Sequence, residues 1–397
     1  MDPVLNPFAP GAGAPPPELA GRSELRERVR IAVERTRLGR PNKSILMVGL
    51  RGVGKTVLLD RMRDDAEASG IHTMRIEAPE GRSLPALLAP QLRRALLRLS
   101  RNAQARELGH RALRALAGFA KALKVKYADI EVGLDFEPEL GLADNGDLEH
   151  DLQALLEAVG LAAQKAATAL VMFIDELQYV AEDELAALIT ALHRAAQRQL
   201  PVTLVGAGHP QLRGRMGRAK SYAERLFDFP DIGALAPCEA EIAISKPLAD
   251  LHVSAEPDAL QKIIVETRGY PYFLQEWGKH AWDVADVSPI TASDIDIGSR
   301  EAIAALDESF FRVRFDRLTP VEKRYLRAMA EIGPGPHRSG DVAQRLGRKV
   351  SSLGPTRNQL ISKGMIWSPS HGDTAFTVPL FDEFMRRIMP GDEWKER

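Results

Sequence analysis

The feature that most constrains the fold is a glycine-rich octapeptide directly after a short apolar run. The run is Ser44-Ile-Leu-Met-Val48, and Gly49-Leu-Arg-Gly-Val-Gly-Lys-Thr56 follows it. This spacing, G-x-x-x-x-G-K-[ST], is that of a phosphate-binding loop (P-loop) between a buried parallel strand and a helix. Glycine lets such a loop curl so that successive backbone N–H groups face a phosphate, and the helix N-terminus adds partial positive charge. The octapeptide therefore predicts an α/β P-loop NTPase fold around a parallel sheet.

The residue types in this loop also predict its ligands. We expect Lys55 to reach the β- and γ-phosphates and the Thr56 hydroxyl to ligate a metal ion. ATP and Mg²⁺ are therefore the predicted cofactors, with an accidental glycine-rich turn as the alternative. The predicted nucleotide-binding residues of this segment are Gly49, Leu50, Arg51, Gly52, Val53, Gly54, Lys55, Thr56 and Val57.

A second apolar run, Leu170–Ile174, ends in Asp175-Glu176. It predicts a buried strand that carries Asp175 to the sheet edge, where the carboxylate would hold Mg²⁺ through water. Glu176 is then placed to polarise the attacking water and is a predicted catalytic residue together with Lys55. Alone, this pattern fits an ordinary buried strand followed by an acidic turn equally well; the P-loop upstream favours the functional interpretation.

Hydrophobic periodicity divides the chain into segments. Strands alternate with helices up to about residue 245, helices alone follow, and the last segment shows three helices and two short strands, which is the pattern of a winged helix. The predicted organisation is a Pro/Gly/Ala-rich tail (1–18), an α/β core (19–245) with an insertion at about 84–149, an all-α domain (246–307) and a winged helix (308–390).

Local signals give further expectations within these segments. Ser23 is expected to cap the first helix, and Gly109 and Gly118 are candidate breaks in a long helical stretch. Alternation of apolar residues over 125–134 predicts a β-hairpin. Pro355 is expected at the start of the third helix of the winged helix, because proline is tolerated in a first turn. The tail is expected to be extended and partly ordered.

Two short motifs add to the P-loop and the acidic strand end: Leu19-Ala-Gly-Arg-Ser-Glu-Leu25 and Gly269-Tyr-Pro271. With them the chain resembles the AAA+/STAND ATPases, in the branch close to origin-recognition initiators and archaeal helix-turn-helix ATPases. The resemblance implies that Gly21 and Arg22 wrap the adenine, that Pro271 lies near the base, and that the all-α domain is a lid. Each short motif alone also fits an ordinary turn.

The chain departs from this family's pattern at its sensor positions. Neither His209, after the strand at 202–207, nor Thr203 within it matches the expected polar sensor, and the lid segment 270–278 has no arginine. These departures favour a slow switch over a fast motor. Arg225 stands where the resemblance implies an arginine finger acting on a neighbouring subunit. An ordinary surface arginine is the alternative for it and for its competitors, Arg213, Arg215 and Arg218.

Charge is distributed unevenly along the chain. From Phe311 onward there are 16 Lys+Arg against 10 Asp+Glu, whereas the remainder has 37 against 44, and residues 342–372 contain no acidic side chain. Cations neutralise phosphates and amides read base edges, so double-stranded DNA is the predicted partner. The predicted contacts are Arg348, Lys349, Arg357, Asn358, Gln359 and Lys363. The alternative is a STAND-type signalling or defence ATPase whose winged helix binds protein or folds back on the core.

Composition excludes several other classes. Cys238 is the only cysteine, so an internal disulfide and a multi-cysteine zinc site are excluded. The scattered histidines lack ligand spacing, and we expect no metal besides Mg²⁺. No stretch approaches the roughly twenty apolar residues of a membrane span, and a signal peptide is not expected. These observations predict a cytoplasmic protein, and they leave open whether it forms a homo-oligomer or binds a partner protein.

Overall fold

The computed structural model of the chain describes residues 1–11, 13–124, 136–370 and 372–395. These residues form two compact units. The sheet unit comprises Arg22–Gly49 and Lys55–Ile232, and the C-terminal unit comprises Met1–Gly21, Leu50–Gly54 and Gly233–Arg397. The hairpin predicted over 125–134 lies outside the described residues.

The sheet unit has parallel strands with helices between them. Its strands are β1 (Ser44–Gly49), β2 (His72–Glu77), β3 (Leu170–Asp175), β4 (Val202–Gly208), β5 (Phe227–Asp228) and β6 (Asp231–Ile232). Its helices are α1 (Ser23–Arg37), α2 (Lys55–Ala68), α3 (Leu84–Leu99), α4 (Arg106–Leu123), α5 (Leu148–Lys165), α6 (Glu182–Gln197), α7 (Leu212–Ala219) and α8 (Ala223–Leu226). The strands pair in the order β2–β3–β4–β1–β5, with β6 also on β1, and every pairing is parallel. The predicted α/β P-loop fold is confirmed.

The central strands owe their place to continuous apolar sequence. Every residue of β1, β3 and β4 is buried, which is the pattern of parallel strands covered on both faces. Because the strands are parallel, Gly49, Asp175 and Gly208 end them at the same edge of the sheet. This edge brings the predicted site residues together.

The helices α3 and α4, within the predicted insertion, are part of the core of the sheet unit. Leu92, Leu96 and Phe119 are fully buried in it. The predicted breaks at Gly109 and Gly118 are wrong, because both lie inside α4 and the chain turns at 100–105 instead. A Cβ on Gly118 would lie 2.8 Å from the Leu142 carbonyl oxygen, so glycine serves close packing there.

The C-terminal unit is mainly helical. Its elements are α9 (Pro237–Ala249), α10 (Pro257–Thr267), α11 (Pro271–Val284), α12 (Ala292–Leu306), a π-helical turn (Asp307–Phe311), α13 (Arg312–Asp316), α14 (Pro320–Ile332), β7 (His337–Arg338), α15 (Ser339–Arg345), α16 (Val350–Ser362), β8 (Ile366–Trp367), β9 (Asp373–Phe376) and α17 (Phe381–Ile388). Antiparallel pairing joins β7 and β8 to β9. The order from α14 to β9 agrees with a winged helix.

The third helix of this segment, α16, begins earlier than expected. It starts at Val350, with Lys349 at the N-cap, so Pro355 lies inside the helix and the predicted start there is wrong. The proline removes one intrahelical hydrogen bond, from position 355 to the carbonyl of Ser351. Ser351 is exposed, so water can satisfy this carbonyl.

The N-terminal tail is ordered against α11 within the C-terminal unit. Phe8 is only 4% exposed and packs on Gly278, where a Cβ would lie 2.7 Å from its ring. Asn6 Nδ2 donates to Asp283 Oδ1 (2.8 Å), and Trp282 Nε1 donates to the Asp2 carbonyl oxygen (2.8 Å). Specific contacts therefore hold the tail in place, whereas its composition predicted a tail that is only partly ordered.

The first helix of the sheet unit begins without the predicted cap. Arg22 is the N-cap of α1, and its carbonyl accepts from the amide of Arg26 (3.0 Å). Ser23 is already the first helical residue, so its predicted capping role is wrong.

Candidate functional site

The glycine-rich loop connects β1 to α2 and has the conformation that its glycines permit. Gly52 and Gly54 have φ of +81° and +84°, in the region that residues with a Cβ rarely adopt. Lys55, the first residue of α2, is 6% exposed, and its Nζ donates to the Gly49 carbonyl oxygen (3.0 Å). The loop therefore has the curl and the buried lysine that a phosphate-binding loop requires.

Thr56 and Asp175 meet at the carboxyl edge of the sheet. Thr56 Oγ1 donates to Asp175 Oδ2 at 2.7 Å, and Asp175 is 1% exposed. Arg75 of β2 lies on the other side, with its Nη2 at 3.4 Å from the same oxygen and its Nε at 2.6 Å from Asp60 Oδ1. A hydroxyl and a carboxylate oxygen side by side are hard oxygen donors, so these residues fit Mg²⁺.

Glu176 occupies an unusual backbone conformation next to Asp175. Its φ and ψ of 55° and 34° are left-handed, which is uncommon for a residue other than glycine and often marks a functional position. Gln178 Nε2 donates to the Glu176 carboxylate, and Gln178 Oε1 accepts from the amide of His209 (3.0 Å). Gln178 thus connects the acidic residue to the residue that follows β4.

Within the C-terminal unit, Gly52 lies against the start of α11. The amide of Tyr272 donates to the Gly52 carbonyl oxygen (3.1 Å), and a Cβ on Gly52 would lie 3.5 Å from the Tyr270 ring. Pro271 lies between these tyrosines as the first residue of α11. Gly21 has φ of +69°, and a Cβ there would lie 2.4 Å from the Glu239 side chain, so a larger residue is excluded.

Thr203 does not lie at the edge where Asp175 ends its strand. It is next to Ser44 at the amino ends of the strands, with 3.1 Å between the two hydroxyl oxygens. Because β4 runs away from this point toward Gly208, Thr203 cannot take the sensor position.

Arg225 also lies at the amino ends, since Phe227 of β5 pairs with Ser44. Its side chain is exposed, and no carboxylate among the described residues lies within ion-pair distance. Its competitors have internal partners: Arg213 pairs with Asp231, Arg215 donates to two backbone carbonyls, and Arg218 lies 3.6 Å from Glu182. Burial also lowers the pKa of Arg215.

The predicted DNA-contacting residues divide into two groups. Arg348, Lys349, Asn358 and Gln359 are exposed. Arg357 instead braces the β8–β9 turn, donating to Thr374 Oγ1 (3.1 Å), Ser368 Oγ (2.8 Å) and the Asp373 carbonyl oxygen (3.0 Å). Lys363 Nζ forms an ion pair with Glu322 at 2.7 Å.

Sequence reasoning did not identify Gln178, Arg75 or the two tyrosines beside Gly52. Gln178 lies only two residues after Glu176, so its position in the sequence could have indicated a role beside that carboxylate. Arg75 reaches Asp175 through strand pairing, with Glu77 opposite Asp175 in the register. That contact depends on strand order, which a single sequence does not contain.

Comparison with known families gives two matches. The family described as AAA ATPase domain matches residues 18–205. A domain of unknown function, DUF8462, matches residues 308–385. No curated protein matches the chain.

Several solved structures are similar over most of the chain. A Walker-type ATPase of Pyrococcus abyssi is 15% identical with a TM-score of 0.57, covering 93% of this chain and 96% of that one. The RuvB Holliday junction branch migration motor of Thermotoga maritima is 17% identical at 0.43, covering 90% and 92%. The Orc1 protein of Aeropyrum pernix, solved in complex with DNA, is 13% identical at 0.45, covering 93% of both chains. The first of these supports the same fold.

Within the described part of the chain, every helix is too short or too polar to cross a membrane.

Proposed function

We propose that this chain is a Mg²⁺-dependent, slowly hydrolysing ATP switch whose winged helix contacts double-stranded DNA, since residues 18–205 match the family described as AAA ATPase domain. The pairing of Thr56 with Asp175 at 2.7 Å carries the ATPase part of the proposal, since it puts two metal-ligand side chains beside a phosphate-binding loop.

Each residue at the loop has a defined task in this proposal. Backbone N–H groups of 50–54 cradle the phosphates, and Lys55 exchanges its bond to the Gly49 carbonyl for the β- and γ-phosphates. Thr56 and Asp175 are the side chains that hold Mg²⁺, which neutralises phosphate charge when bound. Gly21, Arg22 and Pro271 border the base.

Glu176 is the proposed water-activating group. Its carboxylate accepts a hydrogen bond from Gln178, and this bond both orients it and occupies one of its oxygens. A carboxylate held in this way must share or give up that bond to polarise water, which is consistent with slow turnover.

The experiment that tests ATP binding is calorimetry on wild type, Lys55→Ala and Lys165→Ala. Lys165 is an exposed lysine at the end of α5 and serves as the matched control. We expect Lys55→Ala to abolish tight binding and Lys165→Ala to bind like wild type. Equal affinity of the three proteins would refute the assignment of the loop.

DNA binding rests on the basic segment that contains α16. Arg348 and Lys349 precede the helix and would contact phosphates, and Asn358 and Gln359 would contact base edges. Arg357 and Lys363 remain in the proposed surface, although both have internal partners.

One observation favours a second candidate, a STAND-type signalling ATPase whose winged helix contacts protein. The exposed residues of α16 are uncharged: Val350, Ser351, Ser352, Pro355, Asn358, Gln359 and Ser362. Such a face suits a protein surface better than a phosphate backbone. A mobility-shift titration with duplex DNA, with and without ATP at two salt concentrations, separates the two candidates. Retarded duplex whose affinity falls with salt supports DNA, and no retardation at low salt supports protein docking.

A further inference from the structure

Arg75, on β2, holds a fixed position between two carboxylates of the sheet unit. Its Nε donates to Asp60 Oδ1 (2.6 Å), its Nη1 donates to the Ile76 carbonyl oxygen (2.7 Å), and its Nη2 lies 3.4 Å from Asp175 Oδ2. Because the guanidinium is a planar, rigid fork, the two short bonds also fix the third donor. Only 19% of the side chain is exposed. A mostly buried cation is therefore held beside the carboxylate that we propose as a metal ligand.

Asp60 compensates this charge only in part. Its Oδ1 also lies 3.6 Å from Arg63 Nη1, so two arginines share one carboxylate. In addition, 38% of the Asp60 side chain is exposed, and water weakens the interactions of exposed charges. The Asp175 side chain is only 2% exposed, and interactions of buried charges are screened much less. The positive charge of Arg75 therefore remains effective at Asp175.

The oxygen atoms of Asp175 accept from three donors. The amide of Glu176 donates to Oδ1 (2.8 Å), Thr56 Oγ1 donates to Oδ2 (2.7 Å), and Arg75 Nη2 is the third donor, at 3.4 Å from Oδ2. Each carboxylate oxygen has two lone pairs, so both positions on Oδ2 are engaged. A water molecule bound to a metal ion therefore has to compete with one of these two donors for Oδ2.

We propose that Arg75 tunes metal binding through Asp175: its fixed charge opposes a divalent cation there, so the protein binds Mg²⁺ tightly only together with the phosphates of a nucleotide. This inference rests on the proposed function. A cation 3.4 Å from a ligand oxygen repels a divalent ion that approaches the same oxygen. Nucleotide phosphates carry several negative charges, which outweigh one arginine. Arg75 thereby makes metal binding depend on the number of phosphate charges at the loop.

A purely structural role for Arg75 predicts a change of the opposite sign. If the residue only braced β2 against α2, its loss would loosen Asp175 and weaken metal binding. If its charge opposes the metal, its loss strengthens metal binding, because the carboxylate keeps its position through Thr56 and the amide of Glu176. The direction of the change in metal affinity therefore separates the two roles.

The test titrates the full-length protein with Mn²⁺, which prefers the same oxygen ligands as Mg²⁺ and whose unbound form is counted by electron paramagnetic resonance. Without nucleotide, Arg75→Gln should bind Mn²⁺ about tenfold or more tightly than wild type, because one repulsive charge is gone. Arg75→Lys keeps the charge and should bind like wild type. Arg61→Gln is the matched control. The Arg61 side chain, on α2, is 56% exposed and pairs with Asp65, so this variant loses the same charge away from Asp175 and should keep the wild-type affinity.

Asp60→Asn supplies a second test, with the opposite sign, that leaves Arg75 in place. Asp175 becomes the one carboxylate facing Arg75 among the described residues, so Mn²⁺ should bind more weakly, whereas Asp64→Asn, at an exposed aspartate of the same helix, should not change the affinity. Melting temperatures check that each variant is folded. A folded Arg75→Gln that binds Mn²⁺ no more tightly than wild type, or an unchanged affinity in Asp60→Asn, overturns the inference and leaves the proposed function intact. Calorimetry in which wild type binds neither ATP nor ADP overturns the proposed function itself.

Discussion

If the proposed DNA binding is right, its salt dependence should separate the exposed cations of segment 348–363 from those with internal partners. Of the four predicted phosphate contacts, Arg357 makes three hydrogen bonds within the chain and Lys363 is paired with Glu322. Arg348 and Lys349 are exposed. We therefore expect only these two to release counterions when DNA binds.

The size of the effect follows from this division. Each neutralised phosphate contributes about −0.9 to the slope of log affinity against log salt, so replacing Arg348 and Lys349 by Ala should flatten the slope by about 1.8. Between 50 and 200 mM salt, this difference corresponds to about a twelvefold smaller loss of affinity. Four free cations would instead give a change of about 3.6.

The assay is fluorescence anisotropy of a labelled duplex at several salt concentrations, with Arg357→Ala/Lys363→Ala as the comparison pair. This second pair should leave the slope unchanged but lower the free energy of unfolding, by about 1–3 kcal/mol for the loss of Arg357 alone. If Arg357→Ala/Lys363→Ala flattens the salt slope as much as Arg348→Ala/Lys349→Ala does, the distinction between exposed and internally paired cations is refuted. Affinity and slope unchanged in both double variants would exclude this surface and favour protein docking.

Further substitutions test other parts of the molecule. Glu176→Gln should keep ATP bound but lower turnover in a phosphate-release assay about 10²–10⁴-fold, and undiminished turnover would exclude Glu176 as the activating carboxylate. Gln178→Leu should raise kcat with KM unchanged, because it frees the Glu176 oxygen that the Gln178 amide occupies, and a lower kcat would contradict the proposed restraint on Glu176. Hydrolysis per chain should rise with protein concentration in wild type and stay flat in Arg225→Ala if this arginine acts on a neighbouring subunit. Phe8→Ala should lower the free energy of unfolding by about 3 kcal/mol in denaturant titrations, and the exposed control Leu5→Ala should not.

The parts of the site that the sequence predicts are those encoded in short contiguous strings. The P-loop and the strand ending in Asp175 each combine an apolar run with functional residues at a fixed distance after it, and the parallel sheet follows from them. Their meeting at Thr56 and Asp175 follows as well, because parallel strands bring their carboxyl ends to one edge.

Contacts between distant segments were not predictable in the same way. Arg75 reaches Asp175 only because β2 pairs with β3, and the stacking of Phe310 on Tyr272 likewise joins residues that are distant in the sequence. Gly118 is a second position where a contact with a distant segment, absent from the local sequence pattern, decides the structure. Its effect on local helix propensity suggested a break, but a carbonyl from a later segment packs against it and the helix continues.

The docking of the N-terminal tail on α11 means that the C-terminal unit is discontinuous in the chain. A fragment that starts at Gly233 would lack Phe8 and Asn6, and would therefore leave bare the apolar surface around Gly278. Limited proteolysis between the units should accordingly release a non-covalent pair in which the tail peptide copurifies with the C-terminal fragment. When the two units are expressed separately, residues 1–21 therefore have to be supplied to the fragment that starts at Gly233.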